Sequence, residues 1–219
     1  MIDRKPEIQR SIPDSPIRRM FATMHGDEEL LDVHSIDEVL GLPPLGDDQE
    51  SFAGKSYILT PEGRNEYVLY QGTDYNLIRQ GVRWINPDSS DVVYDLGSGY
   101  GRFCLYGALT TDARWKGIEI VQPRVEVAQS AQRRLELPNA EFIQGNVAEQ
   151  DLTDGTVFYI YNSLSSETLE EVLGVLQDLS TKKSIRILSH WTWYTHEIPS
   201  WLKVLEEVPD DPFFMLAPK

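Results

Sequence analysis

A single cysteine, Cys104, is all that the 219 residues hold, which excludes an internal disulfide framework and any multi-cysteine metal site. That usage fits a reducing compartment, so a cytoplasmic location is expected. No stretch approaches the roughly 20 apolar residues that a membrane-spanning helix requires, and no membrane partner is expected. The opening residues, MIDRKPEIQRS, carry charge but lack the apolar core of a secretory signal. Basic residues are scarce as well: 20 Lys and Arg stand against 35 Asp and Glu, a formal net charge of −15. A pI near 4.6 is ill suited to gripping a phosphate backbone, where clustered Lys and Arg displace counterions. Nucleic acid is therefore disfavoured as a partner. Such acidity suits a basic partner, or solubility alone.

What is present is enough apolar material for a core. The hydrophobic fraction of 41% excludes global disorder, and the length favours one substantial domain with trimmings. The first twenty residues are Pro-punctuated and read as a loosely held arm. Residues 27–50 hold nine acids (Asp27, Glu28, Glu29, Asp32, Asp37, Glu38, Asp47, Asp48 and Glu50) and no Lys or Arg. Among them Leu30, Leu31, Val33, Ile36, Val39 and Leu40 recur at near-helical spacing. Ser35 followed by Glu38 has the capping-box form, so a short helix is expected to start there and stop before Pro43-Pro44. The acidic face suits docking of a basic partner, or a solvated helix face that caps the core.

From Thr73 onward the pattern becomes regular. TDYNLIRQGVRWI (73–85) reads as a helix opened by Thr73, with Asp74 in its first turn, and closed by Asn86-Pro87. Strands are then expected at Val92–Leu96, Trp115–Ile120, Glu141–Ile143, Val157–Tyr161 and Ile185–Ser189. Helices are expected between them, at Arg102–Thr110, Arg124–Leu135 and Glu167–Leu179. Alternation of this kind predicts an α/β fold, a doubly wound and mostly parallel sheet with helices on both faces. The end differs: Trp201–Val208 and Phe213–Ala217 flank Pro209-Asp210-Asp211-Pro212, which predicts a C-terminal antiparallel hairpin.

The chemistry concentrates in VVYDLGSGYG (92–101), where an apolar strand ends in Asp95 and glycines follow at 97, 99 and 101. Glycine lets the backbone turn sharply and approach a ligand where a side chain would block it. A dinucleotide site wants a further glycine three residues after the second, and Arg102 stands there instead. An acid two residues before the first glycine would repel a pyrophosphate but suits a cationic group such as an α-amino group. Glu119, 24 residues beyond Asp95, ends the second strand and can accept both hydroxyls of a ribose. Asn146 in FIQGNV falls at the carboxyl edge of the third strand, where a polar side chain can read an adenine edge. The three points share the ligand-binding edge of such sheets, and their joint register carries the argument.

At these residues the sequence resembles the class I S-adenosylmethionine-dependent methyltransferases. VVYDLGSGYGRF is similar to their first motif, WKGIEI to the acidic second-strand motif and FIQGNV to the adenine motif. The resemblance covers roughly residues 70–217 and implies a seven-stranded sheet and the cofactor S-adenosyl-L-methionine. It places Asp95 near the methionine amino group, Gly97, Ser98, Gly99 and Gly101 against the cofactor backbone, Glu119 and Ile120 at the ribose, and Asn146 and Val147 near the adenine. The family has Asp where Asn146 stands; its amide oxygen still accepts from an adenine amine. The implied organisation is an arm and acidic helical extension over 1–69, acting as cap or lid, ahead of a methyltransferase domain over 70–219.

For the acceptor, the Asn/Asp-Pro-Pro-aromatic motif of amide-nitrogen methyltransferases is absent: YIYNSLSSE stands at that place. YQGTDYNLIRQGV (70–82) and FYIYNSLSSETLEEVL (158–173) resemble, loosely, protein-lysine methyltransferases of the Dot1 type and their smaller seven-strand relatives. By that likeness Tyr70 to Thr73 cover the methionine end, with Tyr70 and Thr73 as contacts, and Asn162, next to Tyr161, sits beside the transferring methyl. The family's basic nucleosome-binding tail is not seen. Methyl transfer from a sulfonium is an in-line displacement, so positioning can supply most of the catalysis. A lysine acceptor of pKa about 10.4 must lose its proton, which at pH 7 costs about 4–5 kcal/mol. Desolvation in an aromatic slot lowers that cost. SHWTWYTHEIPSW (189–201) supplies His190, Trp191, Trp193, Tyr194, His196 and Trp201 for such a slot, or for packing of the sheet edge. The two histidines there lack a third ligand and predict no metal. The implied activity is methylation of a protein amine such as lysine, with a small-molecule acceptor or a non-catalytic cofactor-binding module as alternatives.

Overall fold

The computed structural model describes residues 12–44, 57–59, 65–67 and 70–219. In chain order these form α1 (Pro16–Gly26), α2 (Val33–Leu40), β1 (Tyr57–Leu59), β2 (Asn65–Tyr67), α3 (Tyr75–Ile85), β3 (Val92–Leu96), α4 (Arg102–Thr110) and β4 (Arg114–Glu119). There follow α5 (Gln122–Arg134), β5 (Ala140–Gln144), a 3-10 turn (Val147–Glu149), β6 (Val157–Tyr161), α6 (Ser166–Ser180), β7 (Arg186–His190), α7 (Thr192–Thr195), β8 (Leu202–Val208) and β9 (Asp211–Pro218). The arm before residue 12, the acids Asp47, Asp48 and Glu50, and the domain boundary expected at residue 69 lie outside the described residues.

Along β3 successive side chains take opposite sides, which is why the sheet is covered twice. Val93 joins one apolar cluster; Val92, Tyr94 and Leu96 join the other. The same alternation puts Val157 and Tyr159 of β6 on the first side, Phe158 and Ile160 on the second. The first cluster is filled by α3, α4 and α5, the second by Leu169, Val172 and Leu176 of α6. Seven strands run in the order β5-β4-β3-β6-β7-β9-β8. All pairings from β5 to β7 are parallel, and β9 is antiparallel to both β7 and β8. The chain reverses from β3–β4–β5 to β6–β7 beside β3, opening a crevice at the carboxyl ends of the strands.

The N-terminal region departs from its expected form. Residues 16–26 are a helix rather than a loose arm: Ser15 caps it through Arg18 N at 3.2 Å, Pro16 suits its first turn, and Phe21 is fully buried. The guanidiniums of Arg79 and Arg83 on α3 accept nothing and donate to Met24 O, His25 O and Asp27 O, satisfying the carbonyls at its end. The cap of α2 is Asp32, not Ser35. Asp32 Oδ2 accepts from Ser35 N at 3.0 Å and from the Ser35 hydroxyl, so the serine is a donor to the cap. The helix ends at left-handed Gly41, ahead of Pro43 as expected. In α3 the cap is Asp74, whose carboxylate accepts from Asn76 N at 2.8 Å. The Thr73 hydroxyl is committed elsewhere, to Tyr159 Oη at 2.7 Å.

Candidate functional site

Three left-handed glycines shape the β3–α4 loop: Gly97 at φ 88°, Gly99 at φ 53° and Gly101 at φ 80°. Space at the first two is taken by the protein's own walls. A Cβ on Gly97 would lie 2.4 Å from Ser163 Cβ, and one on Gly99 would lie 2.5 Å from the Tyr70 ring. The amides of Gly97 and Ser98 both donate to Ile118 O at 2.9 Å, tying the loop to β4. Above it opens a cleft walled by the glycine loop, the ends of β3, β4 and β6, and Tyr70.

Of the cofactor residues expected from sequence, Tyr70, Thr73, Asp95, Gly97, Ser98, Gly99, Glu119, Ile120, Asn146, Val147 and Asn162 all line this cleft, as does Tyr161. Gly101 stands behind it as the cap of α4. His190, Trp191 and Trp193 lie outside the lining. The His190 ring stacks on Tyr161 with centroids 4.4 Å apart, and its Nε2 lies 3.0 Å from Asp211 Oδ1. Burial holds its pKa below the usual value, with Asp211 opposing. Trp191 is 40% exposed in a left-handed conformation, and Trp193 packs against the cluster under α6. The Tyr194 side chain lies outside the described residues.

Asp95 is 4% exposed, and among the described residues no cation pairs with it. Burial, and secondarily the charge of Glu119, push its carboxyl well above the usual carboxylate range. A buried acid in this state gains from a cationic ligand group. Glu119 is held differently: Oε2 accepts from Gly99 N and Oε1 from Val121 N, each at 2.8 Å, and Arg124 Nη1 stands 3.7 Å from Oε1. Asn146 Oδ1 accepts from Ala148 N at 3.0 Å, starting the 3-10 turn. At the far end Asn162 is left-handed, φ 38°, and its N–H donates to Thr192 Oγ1 at 3.3 Å. Ser163 Oγ donates to Leu96 O at 2.5 Å, joining β6 to β3. A buried carboxylate for an amine and, on the neighbouring strand, a second carboxylate anchored to the glycine loop suit the two polar ends of an S-adenosylmethionine molecule.

Several lining residues were not read from the sequence. Tyr159 reaches the cleft from the middle of β6, its phenol pushed well up by burial and therefore neutral. Arg102 and Arg124, both on helices following the two carboxylate-bearing strands, put guanidinium carbons 5.4 and 5.3 Å from the Tyr70 ring centroid. The Arg102 signal was its place after the third glycine, where it served only to reject a dinucleotide.

The strand order, the glycine loop and the two carboxylates define a class I S-adenosylmethionine-dependent methyltransferase. A family profile described as a methyltransferase domain matches residues 87–210, and the chain belongs to that family. Over 137 residues it is 26% identical to a protein-lysine N-methyltransferase of Saccharolobus islandicus (strain REY15A), covering 62% of this chain and 81% of the relative. It is also similar to an RNA methyltransferase from Salinibacter ruber in complex with S-adenosyl-L-homocysteine, at 26% identity and a TM-score of 0.56, covering 67% of this chain and 93% of that one. The fold is shared with precorrin-6y C5,15-methyltransferase from Geobacter metallireducens GS-15, at 15% identity and a TM-score of 0.51, covering 69% and 92%. Among the described residues no helix is long and apolar enough to cross a membrane, and no group of His, Cys, Asp and Glu is arranged to hold a metal.

Proposed function

We propose that the chain transfers a methyl group from S-adenosylmethionine to a protein amine, a lysine side chain. The observation that carries this reading is the aromatic lining of the cleft that also holds Asn162, formed by the rings of Tyr159, Tyr161 and Phe103. Bound S-adenosylmethionine supplies an electrophilic methyl on a sulfonium. Asp95 accepts from the amino group of the cofactor, Glu119 from the ribose hydroxyls, and Asn146 with Val147 bounds the adenine. Tyr70 and Thr73 close the methionine end. Asn162 orients the acceptor nitrogen through its side-chain amide, with Tyr161 beside it. Aromatic surroundings strip water from the incoming ammonium and lower the cost of its deprotonation.

Likeness to a lysine methyltransferase supports this acceptor, and so does the net charge of −15, which favours basic protein surfaces over phosphate backbones. A second reading, an RNA acceptor, is favoured by the likeness to the Salinibacter enzyme. In the favoured reading residues 1–69 form a cap on the domain over 70–219. Incubation of purified protein with methyl-labelled cofactor and host lysate tests the acceptor. Label in discrete bands that resist nuclease and vanish with protease supports a protein amine. Nuclease-sensitive label selects RNA, and label confined to the filtrate selects a small molecule.

A further inference from the structure

Asp37 comes from α2, in the acidic stretch that precedes the family match, yet it is only 2% exposed. It meets Arg102, the first residue of α4 after the glycine loop, in a two-point contact: Nε to Oδ1 at 2.8 Å and Nη2 to Oδ2 at 2.7 Å. Two parallel N–H···O bonds fix the guanidinium plane as a single contact does not. Nη2 also donates to Pro43 O, where the chain leaves α2, and Tyr75 Oη donates to Asp37 Oδ1 at 2.7 Å. Asp37, Arg102 and Tyr75 are all buried, so these contacts are made away from solvent.

The opposite side of Arg102 faces the cleft. Its guanidinium carbon stands 5.4 Å from the Tyr70 ring centroid, and that of Arg124 stands at 5.3 Å. The ring thus meets two cations, lies edge-on to Tyr100 at 4.9 Å, and covers Gly99 closely enough that a Cβ there would collide with it. Arg124 in turn is paired with Glu119, whose other oxygen accepts from Gly99 N. A continuous run of contacts therefore leads from α2 through Arg102 and Tyr70 to the two groups proposed to meet the cofactor.

We infer that α2 is a working part of the cofactor site: Asp37 is a positioning residue that sets Arg102 and, through it, holds Tyr70 across the glycine loop. The inference rests on the reading that this cleft takes S-adenosylmethionine. Asp27, Glu28, Glu29, Asp32 and Glu38 of the acidic stretch are exposed, and Asp37 alone among its described acids is turned inward. Its central carboxylate is spent inside the molecule.

Calorimetric titration of the full chain with S-adenosyl-L-homocysteine, well below the melting temperature, tests the coupling. Asp37→Asn and Tyr70→Leu are each expected to weaken binding about tenfold. The double variant is expected to bind no more weakly than the worse single one, because both remove the same cover. Because Asp37→Asn leaves a buried cation unpaired and can impair folding, Asp37→Leu with Arg102→Met supplies an apolar replacement of the pair. That variant is expected to fold, by circular dichroism and cooperative melting, and still to bind about tenfold more weakly. Wild-type affinity in a folded Asp37 variant, or additive losses in the double variant, would overturn the inference. Absence of binding by the unaltered protein would instead sink the cofactor reading beneath it.

Discussion

Asp95 and Glu119 stand at the ends of neighbouring parallel strands, and the charge of Glu119 adds to burial in holding the Asp95 carboxyl above its usual range. Two acids of one residue type class therefore have opposite characters. Glu119 is anchored by the amides of Gly99 and Val121, whereas Asp95 is buried with no cation beside it among the described residues.

The first prediction follows from that contrast. The folded state retains a proton on Asp95 that the unfolded chain releases, so stability contributed by this group falls as pH rises above the ordinary carboxylate range. Asp95→Asn is expected to raise the melting temperature of the ligand-free protein at pH 8, with the gain shrinking toward pH 5. The same variant is expected to lose affinity for S-adenosyl-L-homocysteine. Thermal melts across pH, paired with calorimetry, check both signs. A ligand-free variant less stable than wild type at pH 8 would contradict the buried-charge account.

Glu119→Gln keeps the shape but removes the charge that accepts from Gly99, Val121 and, in the proposed complex, the ribose. Charge-assisted hydrogen bonds contribute about 1.5–3 kcal/mol each, so affinity is expected to fall between about tenfold and a hundredfold. Calorimetry with S-adenosyl-L-homocysteine against adenosine lacking one ribose hydroxyl locates the loss. Equal losses for both ligands would point to the loop rather than the ribose.

Asn162 separates chemistry from binding. Asn162→Ala is expected to reduce turnover about a hundredfold by misplacing the acceptor, with cofactor affinity changed far less. Because φ at this position is 38°, Asn162→Gly serves as the control that removes the side chain without backbone strain. Matching losses of turnover in both variants assign the effect to the amide. Recovery in the glycine variant would assign it to the backbone.

Phe21 measures how firmly the N-terminal helix belongs to the core. It is fully buried and meets Tyr106 edge-on at 5.7 Å between centroids. Phe21→Ala is expected to cost about 3–5 kcal/mol in chemical denaturation, with a single transition. A loss under 1 kcal/mol would show that α1 contributes little to the fold.

Much of the α/β core was legible because its signals are local. Short continuous apolar runs marked Val92–Leu96 and Val157–Tyr161 to the residue, and the glycine loop marked the start of α4. Strand ends elsewhere shifted by a residue or so: β4 begins at Arg114 and ends at Glu119, and β7 extends to His190. Capping was less legible, since Ser35 and Thr73 had the right chemistry but Asp32 and Asp74 had the stronger acceptor nearby. The helix at Pro16–Gly26 was missed because its stability comes from Phe21 burial and from guanidiniums more than fifty residues away.

The aromatic cluster after β7 shows the same limit. His190, Trp191 and Trp193 have the composition of a slot, but composition does not say which way a ring points, and these three stand outside the cleft lining. Tyr159, one strand over, reaches it because alternation along β6 turns that ring to the first face.

By itself the sequence determined the mostly parallel sheet, the place of the glycine loop and the acids at the ends of two strands, because these follow from short apolar runs alternating with helical segments and from residues adjacent in the chain. The tertiary structure decided which charges are buried and which are solvated. Asp37 and Arg102 are 65 residues apart, and nothing local distinguishes Asp37 from the exposed acids around it. Burial of a charge depends on a partner brought from a distance, so only the folded chain could turn one member of an acidic run into part of the cofactor site.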